Sequence, residues 1–135
     1  MSSEREHSEE GSDWDYVRWR GAVKRAIKGK RGQAFLSDLV EALDALPEQR
    51  LTSHKLKDHN GYCAIGAVFA KRGIDPSPID PGDHDGVASR LGISESLARE
   101  IASVNDEGGP SGETRRQRWA RMREWALKNI ATETG

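Results

Sequence analysis

A stripe of apolar side chains runs through residues 35–46 and constrains the fold more than any other feature of the chain. The spacing of its members places them on one face of a helix: Phe35, Leu36, Leu39, Val40, Leu43 and Leu46. Pro47 ends the pattern, because proline cannot continue a helix. Since no segment reads as a sheet-building run, a helical core is predicted.

Similar patterns predict further helices on both sides of this stripe. A first helix is expected from an N-cap at Ser12 to the glycines at 29 and 32. A short apolar helix follows Cys63 and closes at Gly73, and two more are expected at about 84–91 and 95–104. The last helix begins at Thr114, which forms a capping-box pattern with the residue at 117.

These elements predict an all-α fold, a compact bundle of about six short helices with an embedded helix-turn-helix-like unit. A small hairpin is expected near 55–63, where Asn60-Gly61 is a two-residue turn signal. Residues 1–11 are predicted to be a disordered acidic tail, 12–131 a single helical domain and 132–135 a flexible end. Aromatic burial should place Trp19, and at least one of Trp119 and Trp125, in the core.

Charge is strongly patterned along the chain, although the net formal charge is only −1. Residues 1–15 carry six acids and one arginine, whereas residues 16–32 carry seven Lys/Arg and no acid. The middle of the chain is acidic, and residues 113–135 are again basic. An acidic tail therefore precedes a basic helix, and the basic segments flank an acidic centre.

The order of several segments resembles a group of small proteins of unknown function encoded by bacteriophages, prophages and some bacteria. The segments are "RGQAFLSDLVEALDALPEQRL", "GYCAIGAV", "VASRLGISESLAREIASVNDEGG" and "ETRRQRWARMREW". The resemblance covers about residues 30–131 and implies a genetic setting rather than an activity. Proteins from that setting often act as accessory factors on host machinery.

The segment "VASRLGISESLAREI" has the spacing of a helix-turn-helix, with Ala88 and Gly92 at the small-residue and turn positions. Its second helix would offer Ser94, Ser96 and Arg99 to base edges. Residues 80–107, however, hold seven acids against two arginines, and DNA binding needs positive charge. A DNA-binding regulator is therefore an alternative, and a packing corner is the favoured interpretation.

The basic first helix is a better candidate for contact with an acidic partner. Arg20, Lys24, Lys28 and Arg31 follow one another at spacings of four, four and three. Arg115, Arg118 and Arg121 of the last helix would extend this surface if the two ends of the chain lie side by side. The interpretation is a non-enzymatic helical binding protein that docks on a host protein or nucleoprotein, with nucleic acid itself as an alternative ligand.

Cys63 is the single cysteine, so the chain has no intramolecular disulfide, which suits a reducing compartment. His54 and His59 lie near it in sequence, which leaves a cysteine-dependent enzyme as a further alternative, but the apolar segment after Cys63 favours a buried, inert thiol. These histidines, with Asp83, His84 and Asp85, match no metal-site spacing. We expect no cofactor, no metal and no membrane span, and a cytoplasmic protein without a signal peptide.

Overall fold

The computed structural model describes residues 2–59 and 61–131, with side chains from Trp14 onward. The described chain forms six helices and one two-stranded antiparallel hairpin, which confirms the predicted all-α bundle with a small hairpin. The helices are α1 (Ser2–Lys28), α2 (Lys30–Ala45), α3 (Ala64–Lys71), α4 (His84–Leu91), α5 (Glu95–Glu107) and α6 (Arg115–Asn129), and the strands are β1 (Lys57–Asp58) and β2 (Gly61–Tyr62).

Helix α2 is central to the core, as its apolar stripe predicts. Phe35, Leu36, Leu39 and Leu43 are buried, and α2 packs on α1, α3 and α6. Helix α3 is short and almost wholly buried, in accord with its apolar sequence. The opposite side of the core comes from α5, whose buried residues include Leu97 and Ile101.

Helix α1 begins earlier than predicted, and it ends directly before Gly29, the first of the two glycines predicted to end it. It begins at Ser2 rather than after Ser12, so the segment predicted to be a tail lies in this helix from Ser2 onward. Its other end is at Lys28, and α2 starts immediately after Gly29. Gly32 does not end α1: it lies inside α2, where an added Cβ would be 1.8 Å from the Ala26 carbonyl oxygen. This glycine is required because the two helix backbones approach closely there. The end predicted to be flexible, 132–135, lies outside the described residues.

The unit formed by α4 and α5 follows local capping chemistry. Asp83 caps α4 by accepting a hydrogen bond from the Gly86 amide, and Ser94 caps α5 through the Leu97 amide. Between them Gly92 takes a left-handed conformation, with φ of 75°, which ends α4. The helix predicted over 84–91 is confirmed, and the following helix continues three residues beyond its predicted end.

A buried asparagine of α5 joins the loop before the hairpin to the start of α3. Asn105 of α5 accepts a hydrogen bond from the Ala64 amide (3.1 Å) and donates one to the Thr52 carbonyl (3.0 Å). Within the hairpin Asp58 pairs with Gly61, so the turn lies one residue earlier than the predicted Asn60-Gly61. None of the helices in the described part of the chain has a stretch long and apolar enough to cross a bilayer.

Candidate partner-binding surface

Five exposed cations surround the junction between α1 and α2, and we call them the basic surface. None of them has a carboxylate within 4.0 Å among the side chains that the structure describes. They are Lys24, Arg25, Lys28, Lys30 and Arg31. Elsewhere basic side chains such as Lys71, Arg72 and Arg123 are paired with acids. The basic surface therefore carries positive charge that these described neighbours do not neutralise.

Arg31 stands between two shallow depressions on this surface. One, of about 330 Å³, is lined by Arg31, Phe35 and Ile93, among others. The other, of about 320 Å³, opens between the start of α2 and the α4–α5 turn and includes Lys30 and Ser94 in its lining. A partner's side chains could enter on either side of this guanidinium.

Arg20 differs from the other predicted contact residues because it pairs with an acid of α5. Its Nη1 donates a 2.7 Å hydrogen bond to Oε1 of Glu100, whose side chain is only 9% exposed. This hydrogen bond raises the pKa of the Arg20 guanidinium above its usual value. Arg20 is thus the counter-ion of a buried carboxylate, and we omit it from the basic surface.

Trp19 of α1 is half-buried on the side of the helix that faces α5. It was predicted to lie in the apolar core, but it is not one of the core residues. The Arg20 guanidinium lies 5.1 Å from its ring centroid, and the Arg99 guanidinium lies 4.7 Å from it. These are cation–π distances. Trp119 and Trp125 do pack against the core as partly buried residues, and the Trp119 indole donates to the Leu43 carbonyl.

Two arginines of α6 that were predicted to support the contact surface are engaged within the chain. Arg121 donates to both carboxylate oxygens of Glu113 and to the carbonyl oxygens of Val104 and Asn105 at the end of α5. Arg118 donates to the Leu51 carbonyl oxygen. The hydrogen bond from Arg121 holds the pKa of Glu113 below its usual range. These arginines fasten α6 to the fold.

The structure joins the Lys28 end of α1 to the last turn of α6, and the predicted arginines of α6 lie toward the other end of that helix. Gln33 joins the far end of α6 to α1, because its Nε2 donates to the carbonyl oxygens of both Ile27 and Asn129. The first half of α6 contains the predicted arginines Arg115, Arg118 and Arg121, and Arg115 is half-buried. At 1.5 Å per residue they are roughly 12–21 Å along the helix from that junction.

The residues predicted to read DNA also have contacts within the protein. The Ser94 hydroxyl caps α5, Arg99 packs on Trp19, and Ser96 is half-buried. Helix α5 itself packs against α1, α3, α4 and α6. A helix enclosed on so many sides has little surface to insert into a major groove, so this geometry does not favour the DNA-reading alternative.

Cys63 is buried at the start of α3, where its Sγ accepts a hydrogen bond from the Gly66 amide (3.3 Å). Burial raises the pKa of its thiol to about 12. A cavity of about 220 Å³ brings Cys63 together with His54, His84 and Asp106. His54 takes a left-handed backbone conformation there, with φ of 64°, and its amide donates to Asp106. A thiol that stays protonated at neutral pH does not favour nucleophilic catalysis.

No group of three or more His, Cys, Asp or Glu is arranged to hold a metal ion within the described part of the chain. Asp83, one of the acids considered as a ligand, caps α4.

No family model, no curated protein and no solved structure matches this chain. The basic surface is therefore the feature on which a functional proposal rests.

Sequence reasoning missed two members of that surface. They are Arg25, which lies off the straight four-residue spacing, and Lys30, which lies next to the glycine that separates α1 from α2. The count of seven Lys/Arg without an acid in residues 16–32 was the signal that contained both. Which of these cations remain exposed depends on how the helices pack.

Proposed function

We propose that the protein is a non-enzymatic binding protein whose basic surface docks on an acidic face of a host protein or nucleoprotein. The observation that carries the proposal is the set of five exposed cations without a described acidic partner, in a chain whose net charge is −1. Such a patch attracts acidic surfaces over a distance and speeds association. The resemblance to phage and prophage proteins is consistent with an accessory role of this kind.

The start of α2 adds to the argument. Lys30 and Arg31 occupy its first turn, where the helix dipole disfavours cations by about 0.3–1 kcal/mol each. Its N-cap, Gly29, makes no side-chain hydrogen bond, so amide donors of the first turn are open to an acceptor. An acidic partner would satisfy both features, because its carboxylates or phosphates would accept from these amides and neutralise the cations.

Capture from a host lysate tests the proposal when matched variants are compared. Glutamate at Lys24, Lys28 and Arg31 should abolish capture and leave the circular dichroism spectrum unchanged. A control variant with Lys55→Glu and Arg116→Glu, together with Arg90→Glu, has the same net charge and alters exposed cations outside the basic surface. The control should capture normally, because the interaction depends on position and not on total charge.

Equal capture by both variants would refute the proposed surface. Nuclease treatment of the captured material then separates the two partner classes, because only a nucleoprotein held through its nucleic acid is released. A gel shift at two salt concentrations examines naked DNA, since phosphate contacts weaken steeply as salt rises.

A further inference from the structure

An apolar patch is exposed near the middle of α1. Trp14 and Val17 are 61% and 58% exposed and, being three positions apart, lie on the same side of the helix. Tyr16 is 59% exposed but lies on another side, where its ring centroid is 5.9 Å from that of Trp19. Among the α1 side chains that the structure describes, those in the apolar core, such as Val23 and Ile27, belong to the second half of the helix. A clustered set of large exposed apolar side chains indicates an interaction site.

Opposite charges flank this patch along the same helix. Residues 4–13 carry five acids and one arginine, and residues 18–27 carry four Lys/Arg and no acid. Because α1 is continuous, positions 9 and 24 are roughly 22 Å apart along its axis. That separation exceeds the Debye length of about 8–10 Å in ordinary buffers. The two halves of one α1 therefore neutralise each other little, apart from the Asp15–Arg18 pair at their border.

The solvent side of α1 has the spacing of a helix–helix seam. Five positions on this side follow one another at alternating intervals of three and four residues: Trp14, Val17, Gly21, Lys24 and Lys28. All of them except the glycine have exposed side chains. Gly21 has no requirement from its own fold, because an added Cβ would make only an ordinary 3.4 Å contact with Arg25. A glycine inside a helix costs about 0.5–1 kcal/mol relative to alanine. In a seam it would let a second helix approach closely.

We infer that two copies of the chain pair through α1 in antiparallel orientation, about a two-fold axis between Asp15 and Tyr16. In that register Trp14 of each copy packs on Val17 of the other. Residues 4–13, with a formal charge of −4, then lie along residues 18–27 of the second copy, and symmetry repeats the match. Lys24 and Arg25 supply the unpaired positive charge of that segment, because its Arg18 and Arg20 already pair with acids of their own chain. A parallel pair would set like charges side by side. An antiparallel pair also covers Lys24 and Arg25, so dimerisation competes with binding of the acidic partner proposed above. The inferred dimer does not depend on the existence of that partner.

Sedimentation equilibrium of the full chain over a range of concentrations tests the pairing. We expect a monomer–dimer equilibrium that weakens as salt is raised. Trp14→Ala should weaken dimerisation tenfold or more, because it removes the central apolar contact. Leu127→Ala is the matched control, since it removes a half-exposed apolar side chain of α6 and should leave the equilibrium unchanged. A wild-type chain that stays monomeric throughout would overturn the inference and leave the patch to another partner.

A charge exchange tests the register independently. One variant carries Glu6→Lys and Glu10→Lys, and a second carries Lys24→Glu and Arg25→Glu. Each alone should pair far more weakly than wild type, because the exchange brings the formal charge of its own segment to zero and removes the attraction. An equimolar mixture restores the original charge match on one side of the two-fold axis and should form heterodimers. Circular dichroism checks that both are folded. Dimers of either variant alone as tight as wild type, or a mixture that remains monomeric, would refute this arrangement. Loss of partner capture with intact dimerisation would instead contradict only the proposed function.

Discussion

Replacement of Arg20 by glutamine removes the cation that neutralises the buried Glu100 carboxylate. The two side chains come from α1 and α5 and lie 80 residues apart in sequence, so their 2.7 Å contact is a tertiary one. The Glu100 side chain is 9% exposed and the Arg20 side chain is 33% exposed. In the variant the largely buried Glu100 carboxylate has lost this cation, which destabilises the fold.

The expected loss follows from these exposures. Breaking a fully buried ion pair by removing one partner costs about 3–5 kcal/mol. Because a third of Arg20 is exposed, water screens the interaction, and we expect a loss of about 2 kcal/mol in the free energy of unfolding. For a domain of this size that corresponds to a fall of roughly 8 °C in Tm. Glu100→Gln should lower the free energy of unfolding by less than Arg20→Gln does. The double variant should be less destabilised than the sum of the two single losses, by about 1 kcal/mol or more.

Urea unfolding followed by circular dichroism measures these changes. Lys28→Gln is the control, because Lys28 is exposed on the same helix without a described acidic partner, and its unfolding midpoint should match that of wild type. Arg20→Gln should also leave partner capture intact once the protein is folded. An Arg20→Gln variant as stable as the control, or strictly additive losses in the double variant, would refute the assignment of Arg20 to the fold.

Three further predictions concern the interior. Arg121 lowers the pKa of Glu113, so this carboxylate stabilises the fold above its ordinary pKa of about 4.3, and the stabilisation is lost as pH falls through the lower pKa of the folded state. Glu113→Gln should therefore lower Tm at neutral pH and make the fall of Tm in acid less steep. A fall of Tm in acid as steep as that of wild type would contradict this. With the pKa of its thiol near 12, Cys63 should react with a thiol probe far more slowly in native protein than in urea, and fast native labelling would show that the site opens. Asn105→Ala leaves the Ala64 amide without its buried acceptor and should cost about 2–3 kcal/mol in urea unfolding, whereas an unchanged midpoint would contradict its role.

Much of the fold could be predicted because its signals are local. The α2 stripe predicted the core helix, and the pairing of Thr114 with Gln117 predicted the start of α6, since a capping box needs residues only three positions apart. The caps that the structure shows at Asp83 and Ser94 are equally local. Each rests on hydrogen bonds within one turn, so no knowledge of tertiary structure was needed.

The composition of the basic surface could not be predicted in the same way. Arg20 and Lys24 look equivalent in sequence, yet only Arg20 meets a buried acid, and that acid lies on α5. Arg123 likewise pairs with Asp44, 79 residues away. Gly32 looked like a helix terminator because nothing local shows that the Ala26 carbonyl lies against it. Such distinctions depend on packing between elements, which periodicity and composition do not contain.

The most direct test of the docking surface is lysine reactivity in the captured complex. Acetylation of Lys24, Lys28 and Lys30 is measured by mass spectrometry with and without the partner, at protein concentrations below those at which the chain self-associates. Lys55 is the internal reference, because it is exposed and lies outside the basic surface. We predict that the partner protects the three lysines and leaves Lys55 unchanged. Undiminished reactivity of all three in an intact complex would contradict the proposed docking surface.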